Sequence, residues 1–244
     1  MAYRLPFTST QRYISMAMQL DQVVPFGRSL DEYINLFNLT ESDLHKTILS
    51  IADGPASFNA EATAQGYHIQ SVDPLYCFSA QEIKERFYAV VDDIIDQIDR
   101  SPQDWIWSYH KSPQDLRQNR ERVIELFTQD YELGKVEGRY QVGELPHLNY
   151  SDLEYEIGLC SHFLFLYSDH FNQAFHLQSI QELLRVCTEV RIFPLLTLNL
   201  QQSPYLPMVI DTLDYQGYNC QIQTVEYQLQ RGGNQMLKIT RKSK

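Results

Sequence analysis

Between residues 79 and 134 the chain is patterned for helix. Ile83, Phe87, Val90, Val91, Ile94, Ile95 and Ile98 recur at helical spacing on one face. Ser79 and Glu82 form a capping box at its start, and "SPQD" occurs twice, at Ser101 and Ser112, with serine as the N-cap and proline in the first helical position. Elsewhere the apolar positions come in short runs that read as buried strands: 47–52, 67–73, 139–142, 155–160 and 190–196. Helical stretches separate them. One starts near Ser57 and stops at Gly66; others cover 169–175 and 177–187; another covers 204–215, with Ser203 as cap and Gly217 as stop. Ahead of the first strand, 9–22 reads as helix, "VVPFGRS" breaks it, and Ser29 with Glu32 caps a second helix ending near Asn38.

Alternating β and α elements predict an α/β fold built on a parallel sheet with right-handed crossovers. The last two apolar runs, 218–230 and 234–242, flank Arg231-Gly232-Gly233 and predict an antiparallel hairpin. The whole is a Rossmann-like, seven-stranded, mostly parallel sheet in a single domain over 1–244, with a helical cap over 1–44. A βα unit needs one helix between strands, so 79–134 reads as a helical insertion placed to act as a lid. Ligands of such sheets bind at the carboxyl ends of the strands, near the switch point beside the first strand.

Composition narrows the partners. The 244 residues carry a net charge of −11, and no Lys/Arg-rich run appears before the final "RKSK", which disfavours nucleic acid and favours a small-molecule substrate. The N-terminus lacks the order of a signal peptide, and no apolar stretch reaches membrane-spanning length. Cys77, Cys160, Cys187 and Cys220 are far apart without a CxxC pair, which reads as reduced cysteine in a cytoplasmic protein with no metal site.

The candidate chemistry lies after the first two strands. "ILSIADGPASF" (48–58) ends a buried strand in small residues that open a helix, so backbone N–H groups can approach a ligand closely. Asp73, in "SVDPLY" at the tip of the second strand, can accept two hydrogen bonds from a ribose diol. The G-x-G-x-x-G fingerprint and the P-loop lysine are both absent, so a nucleoside without phosphates fits better than a dinucleotide.

In this ordered set the chain resembles the class I S-adenosylmethionine-dependent methyltransferases over roughly residues 45–240. "ILSIADGPASF" resembles their glycine-rich motif and "SVDP" their ribose-binding acid. "GELPHLNYSDLEYEIGLCSHFLFLY" resembles their third strand, a Leu-Pro turn and the fourth strand, and the closing hairpin their reversed last strand. The resemblance implies methyl transfer from S-adenosylmethionine, with S-adenosylhomocysteine as product, to a small or medium-sized acceptor. It places Asp53, Gly54, Pro55 and Ala56 along the methionine part of the cofactor and Asp73 on the ribose. Pro74 and Leu75 would lie against the adenine, with Glu144 and Leu145 at its edge and face. Ser161 and His162 would sit where the fourth strand opens toward the methyl group.

The sequence departs from the family at Ser50, where an acid is usual, and at Ala52 and Ala56, where glycine is usual. Asp53 could replace the missing carboxylate at the cofactor's ammonium, and Arg28 could reach the cofactor's carboxylate or an acidic group of the substrate. His162 is the candidate base, although a buried histidine packed by Phe163 and Phe165 accounts for it as well. Tyr167 is a second catalytic candidate; Tyr76 and His147 are weaker ones. Trp105 and Trp107 fit either helix packing or a lid over an apolar acceptor. Two other classes stay open: a binding protein for the same cofactor without catalysis, and a nicotinamide-dependent reductase. The oligomeric state is not legible.

Overall fold

The computed structural model describes residues 18–20 and 23–242. The helix read over 9–22 therefore falls largely outside the described residues. The described part of the 1–44 cap holds two helices. The first, α1 (Leu30–Phe37), has the Ser29–Glu32 capping box and ends at Asn38 in the left-handed region. The second, α2 (Glu41–Leu44), is a single turn capped by Thr40 and Asp43, a box the sequence reading passed over.

Then follow β1 (Ile48–Ile51), α3 (Phe58–Ala64), β2 (Ile69–Val72), α4 (Ala80–Arg100), α5 (Pro113–Val136) and β3 (Tyr140–Gln141). The chain continues as β4 (Tyr155–Ser161), α6 (Gln173–Val186), β5 (Cys187–Phe193), α7 (Leu206–Tyr215), β6 (Tyr218–Thr224) and β7 (Gln235–Arg241). The seven strands form one sheet in the order β3-β2-β1-β4-β5-β7-β6. Pairings from β3 to β5 are parallel, and β7 runs antiparallel to both neighbours. This is the Rossmann-like sheet with a reversed last strand that the resemblance implied. The strand order reverses between β1 and β4, which puts the switch point at their carboxyl ends.

Each residue of β1 is buried, because helices cover both faces of the sheet. Alternate residues feed two cores: Ile48 joins Phe37, Phe58 and Phe127 on one side, and Leu49 joins Cys160, Ile180 and Ile192 on the other. Residues 79–134 form two helices packed against each other. Of these, α5 also packs on α3 and β3, in the position of a β2–β3 crossover helix.

Three expectations need correction. In place of the segments 169–175 and 177–187 there is one helix, α6: residues 169–172 are not helical, and Asn172 caps the helix by accepting the N–H of Phe175 at 3.0 Å. The fifth strand begins earlier, at Cys187, and ends at Phe193, before the cis peptide to Pro194. The hairpin is not tight. Its strands stop at Thr224 and resume at Gln235, and residues 225–234 leave the sheet. The apolar alternation continues there, since Val225, Tyr227 and Leu229 are buried, but its far end pairs with a different partner. Trp105 and Gln230 form an antiparallel bridge, Ile106 N–H donates to the Leu229 carbonyl at 2.8 Å, and Arg231 N–H donates to the Asp104 carbonyl at 2.9 Å. The connection between α4 and α5 is thereby stitched to the connection between β6 and β7.

A buried ion pair ties these parts together. Arg120 on α5 donates twice to Glu32 on α1, at 2.7 Å each, and both side chains are fully buried. Asn119 donates to the same carboxylate at 3.0 Å, and the His110 ring and Tyr227 hydroxyl lie 3.3 and 3.4 Å from its other oxygen. Burial alone would raise the Glu32 carboxyl, but the Arg120 charge and the hydrogen bonds of His110 and Arg120 outweigh it and hold it well below the usual carboxylate range. Among the described residues no helix is long and apolar enough to cross a membrane, and no group of His, Cys, Asp and Glu is placed to hold a metal ion.

Candidate functional site

Beyond β1 the backbone turns through the left-handed region twice, at Ala52 (φ 53°) and Gly54 (φ 55°). Glycine adopts this conformation freely, while a residue with a Cβ is held there at a cost of about 1–2 kcal/mol. The loop thus keeps a glycine-type course at a position that carries alanine. Ala52→Gly should raise stability by about 0.5–1 kcal/mol once the looser unfolded chain is allowed for. A gain of roughly 1–4 °C in melting temperature is the expected reading by calorimetry.

The two features read separately from the sequence are bonded to each other. Gly54 N–H donates to one Asp73 carboxylate oxygen at 2.8 Å, and Leu75 N–H donates to the other at 2.7 Å. Each oxygen keeps a second acceptor position. Burial pushes the Asp73 carboxyl up to about 6; the two backbone hydrogen bonds oppose this and the nearby Asp53 charge adds to it.

Asp53 has another job. Its carboxylate is buried and accepts hydrogen bonds from Tyr33 of α1, from Ser50 of β1 at 2.6 Å and from Ser71 of β2 at 2.6 Å. Three of its roughly four acceptor positions are occupied. Ser50, standing where the resemblance implies an acid, is one of these donors. Asp53 is therefore a junction fastening α1 to the tips of β1 and β2, and a contact with a ligand's ammonium has little of it left to use. Burial raises its pKa despite the three donors.

These residues floor a cleft of about 280 Å³. One wall is the irregular strap 23–28, with Val24, Phe26 and Arg28; the opposite wall is Ser161, His162 and Phe163 from the end of β4. Of the residues assigned to a cofactor, Asp53, Gly54, Asp73, Pro74, Leu75, Ser161 and Arg28 line the cleft, together with His162. Pro55 and Ala56 do not. They are buried beneath Gly27, where an added Cβ would lie 2.1 Å from the Pro55 carbonyl oxygen. Glu144 is exposed in a turn bridged to His147, and Leu145 belongs to the core beside Leu49 and Val72, so neither faces the cleft.

Through the Phe26, Arg28 and His162 wall the cleft adjoins a smaller chamber of about 80 Å³. Ile94 and Ile98 of α4, Trp105, Phe193 and Leu229 give it an apolar lining, and Tyr167 lies here rather than in the cleft. Trp105 is buried, with its indole N–H donated to Ser101 at 3.0 Å. Of its lining the sequence singled out Trp105, Tyr167, His162 and Arg28 one by one, but these come from segments that meet only in the fold.

His162 faces both spaces. Its backbone is left-handed (φ 51°), its N–H donates to the Phe193 carbonyl at 2.6 Å, and its Nδ1 lies 2.8 Å from Ser161 Oγ. Burial first, then the charges of Arg28 and Arg120, holds the imidazole pKa well below its ordinary value. The ring is neutral at pH 7 and a weak base.

No family model matches the sequence. Over 225 residues the chain is 34% identical to an uncharacterized protein, MJ0045, of Methanocaldococcus jannaschii, with 92% of this chain and 99% of that one covered. The chain belongs to the MJ0045 family. Among solved structures, this MJ0045-family chain is similar to the magnesium protoporphyrin IX methyltransferase of Synechocystis PCC 6803, which carries bound S-adenosylhomocysteine. That match has 11% identity, covers 87% of this chain and 81% of the other, and has a TM-score of 0.44. It is also similar to a SAM-dependent methyltransferase of Methanosarcina mazei at 12% identity, covering 82% and 93% of the two chains with a TM-score of 0.42.

Proposed function

We propose that the cleft binds S-adenosylmethionine and that the chain transfers its methyl group to a small acceptor. The observation that carries this reading is the hydrogen-bonded pair of Gly54 and Asp73 at the tips of β1 and β2, beside the switch point. The residues suit the cofactor. Asp73 retains acceptor positions for a ribose diol, and Pro74, Leu75 and Phe78 offer apolar surface for a base. Arg28 is the one Lys or Arg along the cleft among the described residues, which is thin support for the pyrophosphate of a dinucleotide.

When bound, the cofactor supplies a methyl group already activated on a sulfonium. The work left to the protein is alignment of the acceptor and exclusion of water. The strap at 23–28 and the Ser161–Phe163 wall do this by enclosing the space between cleft and chamber. His162, neutral and at that boundary, can take a proton only from an acceptor that gives it up readily. Calorimetric titration tests the reading: S-adenosylhomocysteine should bind with one site per chain while NADH does not. Binding of NADH in place of S-adenosylhomocysteine would reverse the assignment.

A further inference from the structure

The geometry points to the chamber as a binding site for a short aliphatic carboxylate, its carboxylate held by Arg28 at the mouth and its hydrocarbon chain inside. This rests on the methyl-transfer reading in one respect: the ligand's place, between the apolar pocket and the cleft, makes it the methyl acceptor.

Arg28 is the first argument. Its Nη1 donates to the Phe26 carbonyl at 2.9 Å, while its Nε is buried without a partner among the described residues. Arg28 is half-buried, and unlike the buried guanidiniums it has no carboxylate: Arg120 has Glu32 at 2.7 Å, and Arg191 has Asp43 at 3.1 Å and Glu189 at 2.6 Å. A partly desolvated guanidinium with no carboxylate in contact is costly, and an anionic ligand would supply the missing partner. Burial, then the repulsion of Arg120, lowers the Arg28 pKa to about 10. The Glu32 charge opposes this and raises it. Arg28 lines both the cleft and the chamber, so a carboxylate held at its guanidinium stands where the two spaces meet.

The second argument is size and polarity. A cavity of about 150 Å³ takes a benzene ring. The chamber, at about 80 Å³, is near half of that, enough for an aliphatic group of about three to five carbons and not for a ring. No Asp or Glu lines it among the described residues to balance an ammonium group, and Arg28 repels one. The third argument is His162. A carboxylate holds no proton at neutral pH, so such an acceptor asks nothing of a weak base. Transfer to it forms an O–CH₃ bond as the S–CH₃ bond breaks, with the electron pair left on sulfur and no proton moved.

The test is calorimetry on the full chain, titrated in parallel with S-adenosylhomocysteine, butanoate, 3-methylbutanoate, benzoate and butylamine. Butanoate and 3-methylbutanoate should bind, benzoate and butylamine should not, and Arg28→Met should weaken carboxylate binding by about tenfold or more. If that variant does not fold, the ligand series on the unmodified chain decides. Carboxylates that fail to bind, that bind Arg28→Met equally well, or that are matched by butylamine overturn the inference. Carboxylate binding without S-adenosylhomocysteine binding sustains the chamber and overturns the methyl-transfer reading; the converse overturns the chamber alone.

Discussion

Asp73→Asn should weaken S-adenosylhomocysteine binding by about a hundredfold. Two hydrogen bonds from a ribose diol to an ionised carboxylate are each stronger than neutral ones, and weakening both is worth roughly 3 kcal/mol. The substitution also turns an amide N–H toward one of the two backbone donors that the carboxylate now serves, Gly54 or Leu75. Some loss of melting temperature accompanies the loss of affinity, so titrations belong at a temperature where both proteins are folded. The pH dependence gives an independent signature. Burial raises the Asp73 carboxyl to about 6, and on the proposed reading a ribose diol binds its ionised form. Affinity should therefore be level above pH 7 and fall as pH drops through 6, by about tenfold at pH 5. The asparagine variant should show no such fall.

Glu32→Ala should cost the fold about 3–5 kcal/mol, which lowers the melting temperature by roughly 6–20 °C. The cost comes from what remains. Arg120 would stay fully buried without its bidentate partner, and Asn119 and the His110–Tyr227 pair would lose their common acceptor. In the native chain the Glu32 carboxyl is held below its unfolded value. Its contribution is thus complete above the ordinary carboxylate range and is lost as pH falls below it. Urea titrations at pH 7 and pH 4 should show the gap between the two proteins beginning to narrow at the lower pH, with the rest of the loss at still lower pH. An unchanged midpoint at pH 7 would mean that the pair is neutral to stability.

The sequence carried the central site because its signals were local. Gly54 sits in a turn that small residues announce, Asp73 ends a run of apolar residues, and the serine caps of α1 and α4 are read from four consecutive positions. What it did not carry depends on partners distant along the chain. Val225, Tyr227 and Leu229 alternate like a strand, and nothing in the alternation says that the run will leave β7 and bond at its far end, Leu229 to Arg231, to the α4–α5 connection. Asp53 stands in the right turn for a ligand, but three hydroxyls from other elements occupy most of it. Glu144 and Leu145 were placed by resemblance alone, and the turn they occupy directs one to solvent and the other to the core. The strap at 23–28 has no periodicity to read, yet it forms a full wall of the cleft.

Position 27 has an evolutionary corollary. The strap lies so close to the loop after β1 that a single methyl group on Gly27 would collide with the peptide of Pro55 and Ala56. The two segments, far apart on either side of α1, are free to diverge only as a couple. Relatives bearing a larger residue in place of this glycine should also have rerouted the β1 loop, and paired substitution at the two places is the trace that this lamination leaves in an alignment.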